Sequence, residues 1–274
     1  MLTRPLSDLR AWTAHFLRED IPILAHSAEA LETLRAREDM VDANIIGEMV
    51  AGDPLMTLRV LEFAASHRPP RLVTDPETVT AAVVMMGIAP FFRAFATGQP
   101  TVEDRLQALP QALAGLQQVL HRAHRAANFA ACFAVHRMDT DAPIVHQAAL
   151  LHGFAEILLW CYASPLALGL SRLQQANPTL RSSVAQQAVL NIELADLQQA
   201  LMQAWRLPEL LTKVSDDRHA EHPSVKSVAL AVRLARHSAH GWDNPALPDD
   251  YSEIAVLLNL SVNAASQLVN SVET

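Results

Sequence analysis

The sequence predicts an all-α protein, and three features of the chain support this class. Apolar residues recur at spacings of three and four along most of its 274 residues, whereas the sustained alternation typical of strands is absent. The chain has only eight glycines, and its 16 prolines stand mostly where helices are expected to begin or end. Half of the residues are hydrophobic, which is enough to build a buried core.

The first expected helix covers about Ser7–Arg18, and it precedes the main domain. Leu9, Phe16 and Leu17 lie near one of its faces. Amphipathic helices usually bury their apolar face within their own domain. We therefore expect residues 1–20 to form an additional helix that caps a helical bundle, rather than one that binds a partner.

Two aspartate-proline pairs predict helix starts in the first half of the chain. The carboxylate of Asp53 can accept hydrogen bonds from the free N–H groups of the first turn, and Pro54 has no N–H group to leave unsatisfied. The pair Asp75 and Pro76 repeats this arrangement. We expect the second helix to end at Gly87, because glycine readily adopts the backbone conformation that ends a helix.

A polar segment, residues 98–110 (GQPTVEDRLQALP), separates two halves that are rich in predicted helices. It contains both glycine and proline, which is typical of a loop. We therefore divide a main domain of residues 21–274 into subdomains of about 21–97 and 111–274, with the junction at 98–110.

The second half is expected to open with two long helices, about Gln111–Arg137 and Pro143–Tyr162. Uninterrupted apolar runs such as Ala148–Leu151 fall well short of the roughly 20 residues that cross a bilayer. The N-terminal segment Met1–Asp20 lacks the apolar region of a secretory signal. We therefore expect a cytoplasmic protein that does not associate with membranes.

Charge and cysteine content exclude several classes of protein. Lysine and arginine number 21 and aspartate and glutamate 29, so the formal net charge is −8. An acidic surface repels phosphate backbones, and we expect no binding to nucleic acid. The two cysteines, Cys132 and Cys161, lie in separate apolar helical patterns, which argues against a disulfide or a thiolate metal site. No cofactor is expected.

Five short motifs follow one another in a fixed order over most of the chain. They are Ile21–Leu24 (IPIL), Gly52–Leu61 (GDPLMTLRVL), Thr78–Gly87 (TVTAAVVMMG), Leu150–His152 (LLH) and Trp205–Glu209 (WRLPE). This succession resembles the HDOD family, the HD-related output domain, with its "DP-L-T-x-x-L-L", "L-L-H-D-I-G" and "W-x-L-P" segments. The resemblance implies a small N-terminal helical bundle packed on a larger bundle like that of HD metal hydrolases.

The same resemblance directs attention to the metal site of the HD hydrolases, which hold divalent cations with an H…HD…D set of ligands. His152 matches the histidine of the doublet, but Gly153 stands where the aspartate is expected. Glycine offers a metal no ligand, so we predict that the chain is not an enzyme. His124, the counterpart of the first histidine, together with His152 and Glu156, remains a candidate for a residual pocket. Neutral imidazoles hydrogen-bonded within a core are the simpler explanation.

A second group with metal-ligating residue types comprises Asp216, His219 and His222. Pro223 and the high density of charge are more typical of a solvated loop before a helix over Ser224–His240. We therefore predict no metal site here either.

The resemblance implies a role in bacterial signal transduction, beside cyclic-dinucleotide, two-component or chemotaxis components. We predict a non-catalytic regulatory module that acts through signalling protein partners. One alternative is a degenerate metal-dependent nucleotide phosphohydrolase that uses His124, His152 and a carboxylate from Glu156 or Asp196. A second alternative is a sensor of a small ligand such as a nucleotide, bound between the two helical halves.

Overall fold

The computed structural model describes residues 1–67, 76–177, 179–216 and 221–272, and within them the regular secondary structure is helical. The helices of the first part of the chain are α1 Leu9–Phe16, α2 Ala25–Arg35, α3 Ala43–Ala51, α4 Pro54–Ser66, α5 Val79–Met86, α6 Ile88–Phe95, α7 Val102–Leu106 and α8 Pro110–His136. Those that follow are α9 Ala142–Leu151, α10 Phe154–Tyr162, α11 Ser164–Ala176, α12 Ser182–Leu190, α13 Leu194–Ala204, α14 Glu209–Val214, α15 Pro223–His237, α16 Leu247–Leu258 and α17 Val262–Ser271. The prediction of an all-α fold is confirmed.

The chain forms two compact units, each made from two segments. The first unit comprises Met1–Val119 and Gly153–Pro208, and the second comprises Leu120–His152 and Glu209–Thr274. Helix α8 contributes residues to both. The segment 98–110, expected to be a junction, belongs to the first unit and contains α7. The predicted subdomains have different limits from these units, and they stay a prediction.

Asp53 organises the start of the first unit. Its carboxylate accepts hydrogen bonds from the backbone N–H groups of Leu55 and Met56 in the first turn of α4, as predicted. It also accepts one from the N–H of Leu24, at the start of α2. Asp53 is fully buried, and burial raises its pKa although these hydrogen bonds favour the charged form. One carboxylate thus fixes the beginnings of two helices, because it satisfies N–H groups that no helical carbonyl can reach.

Helix α1 is integrated into the first unit. Trp12 and Phe16 are buried, and the Trp12 indole N–H donates to the carbonyl of Leu190 at 2.9 Å. The helix packs against α13, so Trp12 and Phe16 are covered within its own unit, whereas Leu17, expected on the same face, is 45% exposed.

The start of helix α5 differs from the prediction. Helix α5 begins at Val79 and not at Pro76, because the hydroxyl of Thr78 accepts a hydrogen bond from Ala81 N and acts as the cap. Asp75 lies outside the described residues. The end of α5 at Gly87, with φ of 83°, was predicted correctly.

The single helix expected over Pro143–Tyr162 is two helices, α9 and α10, separated at His152 and Gly153. By length and composition alone, the stretch Ala142–Tyr162 is apolar enough to cross a membrane. Of its most apolar window, however, 78% is buried in the fold, which is typical of core helices.

Candidate functional site

His152 and Gly153 lie at the junction of α9 and α10. His152 follows the last residue of α9 and is half-buried, and Gly153 precedes the first residue of α10 with φ −114° and ψ 18°. A Cβ atom added to Gly153 would meet no atom within 4 Å. Packing therefore does not require glycine here. The position has room for the first atom of a side chain, and the sequence provides none.

His124 has a neighbour that the sequence did not single out. Burial lowers the pKa of His146 on α9, and the positive charge of protonated His124 on α8 lowers it further. The side chains of His124 and His146 are only partly buried, and so is that of His152. Buried positions in the core were expected for His124 and His152. His146 is one of several histidines in this region of the sequence, and its proximity to His124 depends on how the helices meet.

These residues do not fit the metal set of the HD hydrolases. Gly153 lacks the carboxylate, and in the parts of the chain that the structure describes no group of three His, Cys, Asp or Glu side chains is placed to hold a metal ion. The carboxylates considered as substitutes are Glu156 on α10, four residues after His152, and Asp196 on α13. We derive no metal-dependent step from this arrangement.

The loop cluster has a role in capping a helix. The Nδ1 atom of His222 accepts a hydrogen bond from the N–H of Ser224 at 3.3 Å, so His222 caps α15. Asp216 is half-buried after the end of α14, and His219 lies outside the described residues. Helix α15 ends at His237, one turn earlier than expected.

A buried charged cluster joins α15 to α16, and sequence reasoning missed it. Asp250 accepts from Arg233 Nε through Oδ1 and from His237 Nδ1 through Oδ2, both at 2.7 Å, and it is almost fully buried. The Arg233 guanidinium also lies 2.8 Å from Glu253. Burial lowers the pKa of Arg233, but the two carboxylates outweigh this effect and raise it above its ordinary value. The cluster attaches α16 to α15.

The helical architecture of the described residues defines a domain of the all-α class. A family model described as HDOD domain matches residues 21–221. The chain therefore belongs to the HDOD family, as the sequence motifs indicated.

Solved structures share the fold. The MmoQ response regulator from Methylococcus capsulatus is similar with a TM-score of 0.66 and 17% identity, over 92% of this chain and 99% of that chain. A virulence factor from Campylobacter jejuni gives a TM-score of 0.63 and 14% identity, over 97% and 99% of the two chains. An HDOD domain protein from Geobacter sulfurreducens gives 0.51 and 13%, over 97% of each. Among curated proteins, no similar sequence was found.

Proposed function

We propose that this chain is a non-catalytic module of bacterial signal transduction that acts in the cytoplasm through protein partners. The observation that carries the proposal is Gly153, which follows His152 at a position with space for a side chain. The hydroxide of a metal-dependent hydrolase forms only when its ligands hold the cation in place. Family membership and the similarity to a protein named as a response regulator support the signalling role.

A second observation supports binding over catalysis. Among the residues that the structure describes, no group of three His, Cys, Asp or Glu side chains is placed to hold a metal ion. A catalytic cation needs about three protein ligands.

Two measurements on the full chain test the proposal. The first assays purified protein, prepared without chelator, with Mn²⁺, Fe²⁺ or Zn²⁺ against bis-p-nitrophenyl phosphate and cyclic dinucleotides. We expect turnover no faster than in reactions without protein. Metal-dependent turnover that the substitution His152→Ala abolishes would overturn the proposal.

The second measurement identifies the partner. The tagged chain is crosslinked in its native bacterium and compared with an unrelated tagged helical protein of similar charge. We expect the same signalling protein to be recovered repeatedly with the chain alone, and to bind it again when both are purified. Failure of the purified pair to associate would count against action through that partner.

A further inference from the structure

His237, the last residue of α15, has one ring nitrogen that is open to reaction. Its Nδ1 atom donates to Oδ2 of Asp250 at 2.7 Å. In the neutral imidazole the other nitrogen, Nε2, then holds a lone pair. The described residues give Nε2 no hydrogen-bond partner, and the side chain of His237 is 22% exposed. The contact that joins α15 to α16 therefore uses one nitrogen of the ring and leaves the other available.

The carboxylate that orients this ring is itself held in place. Asp250 is almost fully buried, and its Oδ1 accepts from Nε of Arg233 at 2.7 Å. Arg233, four residues before His237 on the same helix, also pairs with Glu253. The backbone at the end of the helix is tied down as well, because Asn244 donates to the carbonyl of His237 at 2.9 Å. The imidazole is thus held in one tautomer and one orientation.

A histidine oriented in this way has the arrangement of a nucleophile. Histidine forms covalent intermediates in proteins, and a third group commonly orients the reacting pair. When Nε2 bonds to an electrophile, the ring becomes positively charged, and a carboxylate at Nδ1 stabilises that charge without itself taking up the proton. Asp250 is placed to do this.

A phosphoryl group is the electrophile that suits this arrangement. A bound catalytic cation would need about three protein ligands, and no group of three His, Cys, Asp or Glu side chains among the described residues is placed to hold one. Phosphoryl transfer asks for a nucleophile in line with the leaving group. The N–P bond of phosphohistidine and the O–P bond of an acyl phosphate have similar transfer potentials, so an acyl phosphate can phosphorylate an imidazole without another source of energy.

We propose that Nε2 of His237 accepts a phosphoryl group from an acyl phosphate. The lone pair of Nε2 forms the bond to phosphorus, the bond between phosphorus and the acyl oxygen breaks, and its electron pair leaves with the carboxylate product. Nδ1 keeps its proton, and the positive charge of the ring faces Asp250. The family match ends at residue 221, so the site lies in a part of the chain that the family model does not cover. The inference goes beyond the proposed function.

Labelling of the full chain tests the site. The protein is incubated with radiolabelled acetyl phosphate and Mg²⁺ and digested at alkaline pH, where phosphohistidine is stable, and mass spectrometry locates the label. The same chain unfolded in urea gives the reactivity of its 12 histidines without the fold. We expect the fold to raise labelling of His237 at least about tenfold relative to His240, an exposed histidine three residues further on. Equal labelling of the two, or none at His237, would overturn the proposal.

The position of the phosphoryl group on the ring tests Asp250 as a positioning residue. Phosphorus NMR of the digested peptide separates the two isomers, and we expect only Nε2-phosphohistidine, because Nδ1 holds its proton. We expect slower labelling and both isomers in Asp250→Asn, measured where circular dichroism shows that this variant is folded. Nδ1-phosphohistidine in the unaltered chain would contradict the proposal, and an unchanged rate and isomer in Asp250→Asn would refute the role of Asp250.

Substitutions of the two histidines form a matched pair. His237→Gln keeps an N–H donor for Asp250 but has no nucleophilic nitrogen, so we expect it to lose the label that depends on the fold. His240→Gln should keep that label. Loss in both variants, or in neither, would refute the assignment. Acetyl phosphate acts without a protein partner, so failure of this experiment leaves the proposed function unchanged, and failure to find a partner leaves the labelling result unchanged.

Discussion

The Nδ1 atom of His237 lies 2.7 Å from Oδ2 of Asp250, and it joins the last residue of α15 to the first turn of α16. A carboxylate oxygen only accepts hydrogen bonds, so Nδ1 carries the proton. Arg233 occupies the other oxygen of the same carboxylate. Both oxygens of a buried acid are therefore paired with residues one turn apart on a single helix.

Removal of this carboxylate is expected to destabilise the protein. Asp250→Asn removes the negative charge and replaces one of the two acceptor oxygens by an amide nitrogen that only donates, so Arg233 and His237 cannot both keep an acceptor. We expect a loss of about 2–4 kcal/mol in the free energy of unfolding. Glu253→Gln is the control, because Glu253 is exposed and its pairing with Arg233 contributes about 0–1 kcal/mol. Urea unfolding compares the variants, and equal losses for both would show that burial of Asp250 is unimportant.

A methyl group at Gly115 is expected to disturb the packing of α8 on α10. A Cβ atom there would lie 2.3 Å from Cη2 of Trp160, whose side chain is buried. We expect Gly115→Ala to cost about 1–3 kcal/mol. Gly169→Ala on α11 is the control, since a Cβ atom there meets nothing within 4 Å, and we expect it to be neutral or to stabilise by up to about 1 kcal/mol. Thermal unfolding of both variants is the measurement. Destabilisation of the protein by both substitutions would contradict the prediction.

Stability is expected to fall in mild acid, partly because of His146. Burial, and then the charge of His124, lower the pKa of His146 in the folded protein, so protons bind the unfolded chain more readily. The stabilising contribution is complete above the unfolded pKa of about 6.5 and is lost as the pH falls through the lowered folded value.

The measurement is the urea midpoint of unfolding between pH 8 and pH 5. We expect the decline to be smaller in His146→Gln and unchanged in the control His240→Gln, whose side chain is exposed. Burial also lowers the pKa of His15. Part of the decline in stability with falling pH therefore remains in both variants. Parallel curves for His146→Gln and the unaltered chain would contradict the prediction.

A carboxylate placed beside His152 is expected to increase the affinity for divalent metals. Gly153 has an ordinary negative φ and free space around it, so Gly153→Asp should fold normally. We expect it to bind Mn²⁺ or Zn²⁺ at least about tenfold more tightly than the control Gly153→Ala, by calorimetric titration. Equal binding by the two variants would mean that His152 is not directed towards a common metal position.

Elements with local signals were predicted well. The start of α4 depends on Asp53 and Pro54, and the end of α5 depends on Gly87, so the determining contacts lie within one turn. Helix α8, expected over Gln111–Arg137, spans Pro110–His136. The predicted start of α5 was wrong because the residue that caps the helix is Thr78, three residues after Asp75. Both residues are of types that cap helices, and the local sequence does not show which of them is the cap.

Contacts between residues on separate helices, such as those of the candidate site, are harder to predict from the sequence. His152 and Gly153 were identified from their place in a motif, but the nearness of His146 to His124 depends on how separate helices meet. The same holds for Asp250, which looks like an ordinary acidic residue in the first turn of a helix. Its partners, Arg233 and His237, precede it by 17 and 13 residues, beyond the range of helical periodicity.

The hydrogen bond from Trp12 to Leu190 has a consequence for how the domain is delimited in practice. The family match begins at residue 21, yet the preceding helix is tied to a carbonyl 178 positions further along the chain. Expression of a shortened protein from residue 21 would uncover the surface that the Trp12 and Phe16 rings now shield, and would leave that carbonyl without its donor. The start of the family match is therefore not the start of the compact unit, which includes α1.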